Sequence, residues 1–241
     1  MTDSSMQYSY VGTELELFRQ AHNWKSYFTR LIKPYLQGDV LEVGAGIGAT
    51  TEILCKYSQS NWVCLEPDPS LANVISAAIA NAYLPPHCEI RVGNLESLKA
   101  EKAFDSVIYI DVLEHIENDS LEIGLASKAL RPGGCLVILA PAHQWLFTPF
   151  DLAVGHYRRY NKQMLSSIVP NTLECVSLKY LDCIGLMASL GNRIILKQKM
   201  PTSKQVKLWD QAMVPLSIKL DPLLRYSLGK SVLGVWRKKD E

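Results

Sequence analysis

Apolar positions along the first third of the chain change period twice. From Leu15 to Leu36 they recur at helical spacing, with Leu17, Phe18, Ala21, Trp24, Phe28, Leu31, Ile32 and Tyr35 on one side. This predicts one long helix, ended by Gly38. Asp39 to Val43 then reads as a short strand running into Gly44-Ala45-Gly46-Ile47-Gly48. A helix follows over Thr50 to Tyr57, and a second strand over Asn61 to Glu66. Asp68 suits an N-cap and Pro69 a first helical position, which predicts a helix to about Asn81. Further strands are expected over Glu89–Val92, Phe104–Ile110 and Cys135–Ala140. The helix starting at Asn118 or Asp119 is expected to stop at Pro132-Gly133-Gly134.

Strand and helix alternate five times, which calls for a parallel sheet with helices on both faces and right-handed crossovers. Leu173–Tyr180 and Ser231–Arg237 read as strands six and seven. Between them, Leu181 to Lys230 reads as broken helices punctuated by Pro201, Pro215 and Pro222, too long for a hairpin turn. The expected fold is therefore α/β: a Rossmann-like three-layer αβα sandwich. Its seven-stranded sheet is mostly parallel with an antiparallel last strand, and a helical insertion separates strands six and seven. One domain is expected, made of an N-terminal helical segment (1–37), a cofactor-binding core (38–180), a helical insertion or cap (181–230) and a last strand (231–237).

Composition narrows the class. The 241 residues are 48% hydrophobic and 20% charged, which is globular, and the net charge of +1 gives no broad attraction to nucleic acid or anionic membranes. The six cysteines form no Cys-x-x-Cys pair, and several lie in apolar runs; they read as reduced and structural, implying a cytoplasmic setting. The opening MTDSSMQYSY lacks an apolar signal core, and no apolar run is long enough to span a bilayer. Peripheral contact with a membrane stays open, motivated by the insertion and by Arg237-Lys238-Lys239. A monomer or homodimer is expected.

Ligands of such sheets bind beyond the carboxyl ends of the strands. There the sharpest signal is Glu42-Val43-Gly44-Ala45-Gly46-Ile47-Gly48. Glycines allow a tight turn and close backbone approach. Gly44-x-Gly46-x-x-Ala49 also fits a loose dinucleotide pattern. Glu42 argues otherwise: a carboxylate repels a pyrophosphate but attracts an ammonium or a sulfonium. Glu66, some twenty residues on, can accept both hydroxyls of a ribose, and Pro67 turns the chain into the next helix.

Val40 to Gly48 resembles the first motif of class I S-adenosylmethionine-dependent methyltransferases. Gly93-Asn94-Leu95-Glu96-Ser97-Leu98 resembles the segment that borders adenine in that family, with Asn94 where Asp is common. Asp111-Val112-Leu113-Glu114-His115-Ile116 looks like the segment after strand four of ubiquinone-biosynthesis-type methyltransferases. Leu130-Arg131-Pro132-Gly133-Gly134 resembles the turn before their fifth strand. The resemblance covers roughly residues 36 to 141. It implies S-adenosylmethionine as cosubstrate, held by Glu42, Gly44, Ala45, Gly46, Gly48, Glu66, Pro67, Asn94, Leu95, Asp111, Val112 and His115. Glu42 would take the methionine ammonium, Glu66 the ribose, and Asn94-Leu95 the adenine, with Asp111 and Val112 at the methionine end. No metal is implied.

The acceptor side is less constrained. Methyl transfer is an in-line displacement that needs alignment and, for a protonated acceptor, a base. His143 or His156 is expected as that base, with Tyr157 and Arg158 positioning a polar or anionic acceptor. No Pro-Pro turn follows strand four, which disfavours nucleic-acid bases and glutamine amides and favours a small molecule with an oxygen, nitrogen or carbon nucleophile. Two alternatives remain at this point: an NAD-dependent oxidoreductase and a non-catalytic S-adenosylmethionine-binding protein.

Overall fold

The computed structural model describes residues 10, 14–57, 60–98, 103–191 and 200–240. Seven strands form one sheet: β1 (Val40–Val43), β2 (Trp62–Glu66), β3 (Cys88–Val92), β4 (Phe104–Ile110), β5 (Leu130–Pro141), β6 (Leu173–Leu181) and β7 (Ser231–Lys238), in the order β3-β2-β1-β4-β5-β7-β6. β1 to β5 pair in parallel. β7 is antiparallel to both β5 and β6, so it alone runs against the sheet. The α/β sheet with a reversed last strand is the one the sequence predicts.

Helices α1 (Glu14–Arg19), α2 (His22–Ile32), α3 (Thr51–Leu54), α4 (Pro69–Ala80), α5 (Leu95–Leu98), α6 (Asp119–Ala129), α7 (Pro149–Ala153) and α8 (Lys162–Ser167) punctuate the strands. Between β6 and β7 lie α9 (Cys183–Gly191), α10 (Ser203–Leu208), a π-helical turn (Trp209–Met213) and α11 (Val214–Leu223), which together we call the cap. Residues 192–199 of the expected insertion fall outside the described residues.

The period of two along each strand separates two cores. Val40, Trp62, Cys64, Ile108, Val137 and Leu139 face one side, under α2 and the cap residues Val206, Trp209 and Val214. Leu41, Val43, Val63, Leu65, Val107, Leu136 and Ile138 face the other, under Ile123 and Ala126 of α6 and Leu165 of α8. Glu42 shares the parity of Val40 and so points toward the cap side.

Two boundaries differ from expectation. The predicted helix over 15–36 is interrupted between α1 and α2. There the Asp210 carboxylate, from the cap, accepts the N–H groups of Asn23 (3.2 Å) and Trp24 (2.9 Å). A helix start is thus capped from nearly two hundred residues away, a signal no local pattern contains. Likewise Pro132-Gly133-Gly134 does not precede the fifth strand but lies within it. Leu130 pairs with Phe104 and Cys135 with Ser106, so the intervening residues form a bulge rather than a separate turn.

Candidate functional site

The carboxyl ends of β1, β4 and β5 open into a cavity of about 600 Å³. Its floor is the glycine bend after β1. Gly44 has φ 66°, and a Cβ there would meet Val112 Cγ1 at 2.6 Å, so only glycine lets the bend approach the segment after β4. The Gly44 N–H donates to the Leu65 carbonyl at 2.7 Å, tying the bend to β2. Walls of Leu15, Phe18, Trp24, Phe28, Trp209 and Met213 come from α1, α2 and the cap.

Beside the bend sits Glu42, 2% exposed. One of its oxygens accepts from Thr51 Oγ1 (2.7 Å) and from Trp62 Nε1 (2.9 Å). Burial still dominates these hydrogen bonds and pushes the carboxyl up to about 7. No cation pairs with it among the described residues. A buried carboxyl with no cation beside it among the described residues is a candidate to receive a positively charged ligand.

Asp111 follows β4 with φ 54°, a left-handed conformation uncommon for a non-glycine residue and costing about 1–3 kcal/mol. The turn sets it at the cavity lining, where its side chain is exposed. Enclosure raises it to about 6, opposed by the charges of His156, Lys230 and Arg159. Glu114 is fully buried, and both its oxygens lack a hydrogen-bond partner. Burial, then the neighbouring Asp111, push its carboxyl well above the ordinary range.

His156 lies between two carboxyl groups. Its Nδ1 is 2.9 Å from Asp151 Oδ1, and its Nε2 is 3.9 Å from Glu114 Oε1. Asp151 is fully buried and gathers the Thr148 N–H and hydroxyl and a two-point contact from Arg159 (2.7 and 3.0 Å). Burial works against its ionised form, but the hydrogen bonds from His156 and Arg159 outweigh it and hold the carboxyl below its usual range. The His115 ring packs edge-on against His156 with centroids 4.5 Å apart. Burial lowers His115 to about 4, so it is neutral. Ligand atoms of Glu114, His115 and His156 lie within 4.8 Å of one another, a set that could hold a divalent cation although the sequence implied none.

Of the residues expected from sequence, the cavity gathers Glu42, Gly44, Ala45, Gly46, Asp111, His115 and His156. It does not gather Gly48, Glu66, Pro67, Asn94, Leu95 or Val112. Glu66 accepts the N–H groups of Gly46 (2.8 Å) and Asp68 (2.9 Å), bracing the bend with both oxygens. The Asn94 side-chain oxygen accepts the Ser97 N–H (2.9 Å), and Leu95 is buried in the core beneath α6. Val112 acts by packing on Gly44.

The acceptor set changes more. His143 stands off the cavity: its Nε2 lies 3.0 Å from the Gly229 carbonyl, and its ring sits between Trp145 and Tyr180. Arg158 is committed to Asp119 (2.5 Å) and the Glu117 carbonyl, and Tyr157 is exposed. In their place the structure brings Arg159, Lys230, Glu114 and Thr148 to the cavity. Lys230 stacks its ammonium over Trp209 at 3.8 Å, and burial lowers its pKa. The run Gly155–Tyr160 held the signal for Arg159, but periodicity could not choose between adjacent arginines. Lys230 had no local signal at all.

A parallel sheet with a reversed last strand, a glycine bend after β1 and acids within β1 and at the end of β2 make a Rossmann-like α/β fold with its cavity at the carboxyl edge. Residues 41–138 match the family model described as methyltransferase domain. A ubiquinone biosynthesis O-methyltransferase of Dictyostelium discoideum is 29% identical over 112 residues, covering 42% of this chain and 34% of that protein. A probable S-adenosylmethionine-dependent methyltransferase of Mycolicibacterium smegmatis is 26% identical over 157 residues, covering 64% of this chain and 56% of its own length. The chain therefore spans less than two thirds of either relative. Among solved structures, a geranyl diphosphate methyltransferase in complex with S-adenosylmethionine superposes with a TM-score of 0.64 at 13% identity, covering 94% of this chain and 90% of that one. Agreement at that identity extends the fold beyond the family match to nearly the full chain.

Proposed function

We propose that this chain transfers the methyl group of S-adenosylmethionine to a small-molecule acceptor, with S-adenosylhomocysteine as the product. One observation carries the reading: Glu42, buried without a cationic partner, lies against a glycine bend that opens into a cavity. That donor set suits a ligand bearing an ammonium and a sulfonium and disfavours a pyrophosphate, which would meet Glu42 and Asp111. When bound, S-adenosylmethionine supplies an electrophilic methyl carbon. The chain's own residues do the rest. The bend gives close backbone approach, and Glu42 gains the positive charge that stabilises its ionised form. Asp111 offers a second carboxylate at the end of β4.

His156 is the candidate base. With Asp151 accepting from Nδ1, the Nε2 nitrogen is left as the acceptor, directed toward Glu114 and the cavity. Protonation of the ring during turnover is stabilised by ionised Asp151, itself fixed by Arg159. His143, with its hydrogen bond to Gly229, falls out of the role. Arg159 and Lys230 replace Tyr157 and Arg158 as the groups for polar parts of the acceptor, and the walls of Phe18, Phe28 and Trp209 suit an apolar body. The lack of a Pro-Pro turn after β4 keeps a small molecule preferred over nucleic acid.

Calorimetry with S-adenosylmethionine tests the first claim: binding is expected, and Glu42→Gln should weaken it at least tenfold. For the second, His156→Ala should lower turnover by about 10²–10⁴ with donor affinity retained. Turnover that survives this change removes His156 as the base. Donor binding without turnover on broad acceptor panels would instead favour the non-catalytic reading.

A further inference from the structure

The cap distributes its charge unevenly. Among the described residues of the cap with its flanks (182–225), all three acids point inward: Asp182 and Asp221 are 0% exposed and Asp210 is 3% exposed. Each is engaged there, Asp182 by Trp209 and Ser217, Asp210 by α2, and Asp221 by Tyr27. Every exposed charge on the same described stretch is basic: Lys204, Lys207, Lys219 and Arg225. The rest of the surface is mixed, with exposed Glu52, Glu89, Glu96, Glu117 and Glu174, and the whole chain carries only +1. The cap is therefore a local cationic face on a nearly neutral molecule.

Large apolar side chains interleave with those cations. Leu216, Lys219, Leu220 and Leu223 fall within an arc of about 100° on α11. Val214, Ser217 and Asp221, on the opposite arc, are the buried ones. Leu223 is 77% exposed, and Leu224 and Leu228 continue the exposed apolar run just past the helix. One helical turn sequence earlier, α10 exposes Lys204, Lys207 and Leu208, and Leu208 also lines the cavity. The basic and apolar face thus reaches the cavity rim.

We propose that the outer face of the cap, α10 and α11, docks on an anionic lipid bilayer. Leucines on one arc enter the boundary between headgroups and acyl chains, while Lys219 and its neighbours lie among anionic headgroups, with their methylene stems covering apolar surface. Charge complementarity selects this occupant. A second copy placed on the same face by a two-fold axis would set these cations against one another. A neutral apolar partner would leave them desolvated and unpaired.

Co-sedimentation of the full chain with phosphatidylcholine vesicles, with and without phosphatidylglycerol, tests the proposal. Binding should require phosphatidylglycerol and weaken with salt. Lys219→Glu with Arg225→Glu should weaken it at least twenty-five-fold, from about fivefold per cation removed. Leu223→Ser should weaken it separately, at unchanged salt dependence. All of these positions lie on the surface away from the cavity, so melting temperatures should match the parent and exclude misfolding. Equal binding to both vesicle types, or variants that bind like the parent, overturns the proposal. So does a dimer in light scattering that Leu223→Ser dissolves, because the face would then be a self-association surface.

Discussion

In the sheet, Ile108 of β4, Val137 and Ile138 of β5 and Val235 of β7 meet their neighbours as apolar, buried side chains. The contact between the cap and the N-terminal helices also uses apolar side chains, but it is threaded by three buried aspartates. Asp221 accepts from Tyr27 Oη (2.7 Å) and from the N–H groups of Asp182 (2.7 Å) and Cys183 (3.0 Å). Asp182 in turn accepts from Trp209 Nε1 (2.7 Å) and Ser217 Oγ (2.7 Å). The two regions should respond differently to mutation. Apolar packing gives up energy in proportion to the atoms lost. A buried polar network fails abruptly, because each deleted acceptor strands several donors.

The sharpest way to expose that contrast is Asp221→Ala, which orphans three donors at once. A loss of about 4 kcal/mol is expected in denaturant unfolding. A loss below about 1 kcal/mol would mean that water enters the network and the contrast is false. Next in size is a pH effect on the unliganded protein at Glu42. Its folded pKa of about 7 lies above its ordinary value of 4.5, so its burial as the neutral acid adds stability that is complete below about 4.5. This contribution is lost as pH rises through about 7. Glu42→Gln should therefore gain stability over the parent as pH rises, by about 3 kcal/mol above pH 7. Parallel stability curves from pH 5 to pH 8 would show that Glu42 is not buried as an acid.

Smaller effects complete the series. Trp209→Phe keeps most of the ring but removes one donor to Asp182, and should cost about 1–2 kcal/mol in thermal unfolding. Ile138→Val in the sheet should cost about 1 kcal/mol, with no change of pH dependence. If Ile138→Val proved clearly more costly than Trp209→Phe, packing rather than the polar network would set the sensitivity of both regions.

The same division separates what was legible in the sequence from what was not. Short apolar runs placed six of the seven strands to within one position, because such runs are a local property of the chain, while the fifth begins five residues earlier than expected. The glycine bend and Glu42 were equally visible, as their spacing from β1 is fixed by covalent connection. By contrast, the break between α1 and α2 depends on Asp210, and the bulge at Pro132–Gly134 depends on pairing with β4. His143 and His156 both follow β5, two and fifteen residues on, and carry the same chemistry. Only the Asp151 contact of one and the Gly229 contact of the other distinguish them. Arg158 and Arg159 are neighbours that point to different partners, Asp119 and Asp151.

Local pattern alone thus determined the αβα layering and the carboxylate beside the glycine bend, since each follows from periodicity or from short-range spacing, whereas the reversed last strand was implied by the family resemblance. Tertiary structure decided which side chains share the cavity. Glu114 follows β4, His156 and Arg159 share one stretch after β5, and Lys230 precedes β7, which inserts between β5 and β6. The meeting of these three stretches depends on how distant segments close in space, and no stretch of sequence short enough to carry a pattern contains them all.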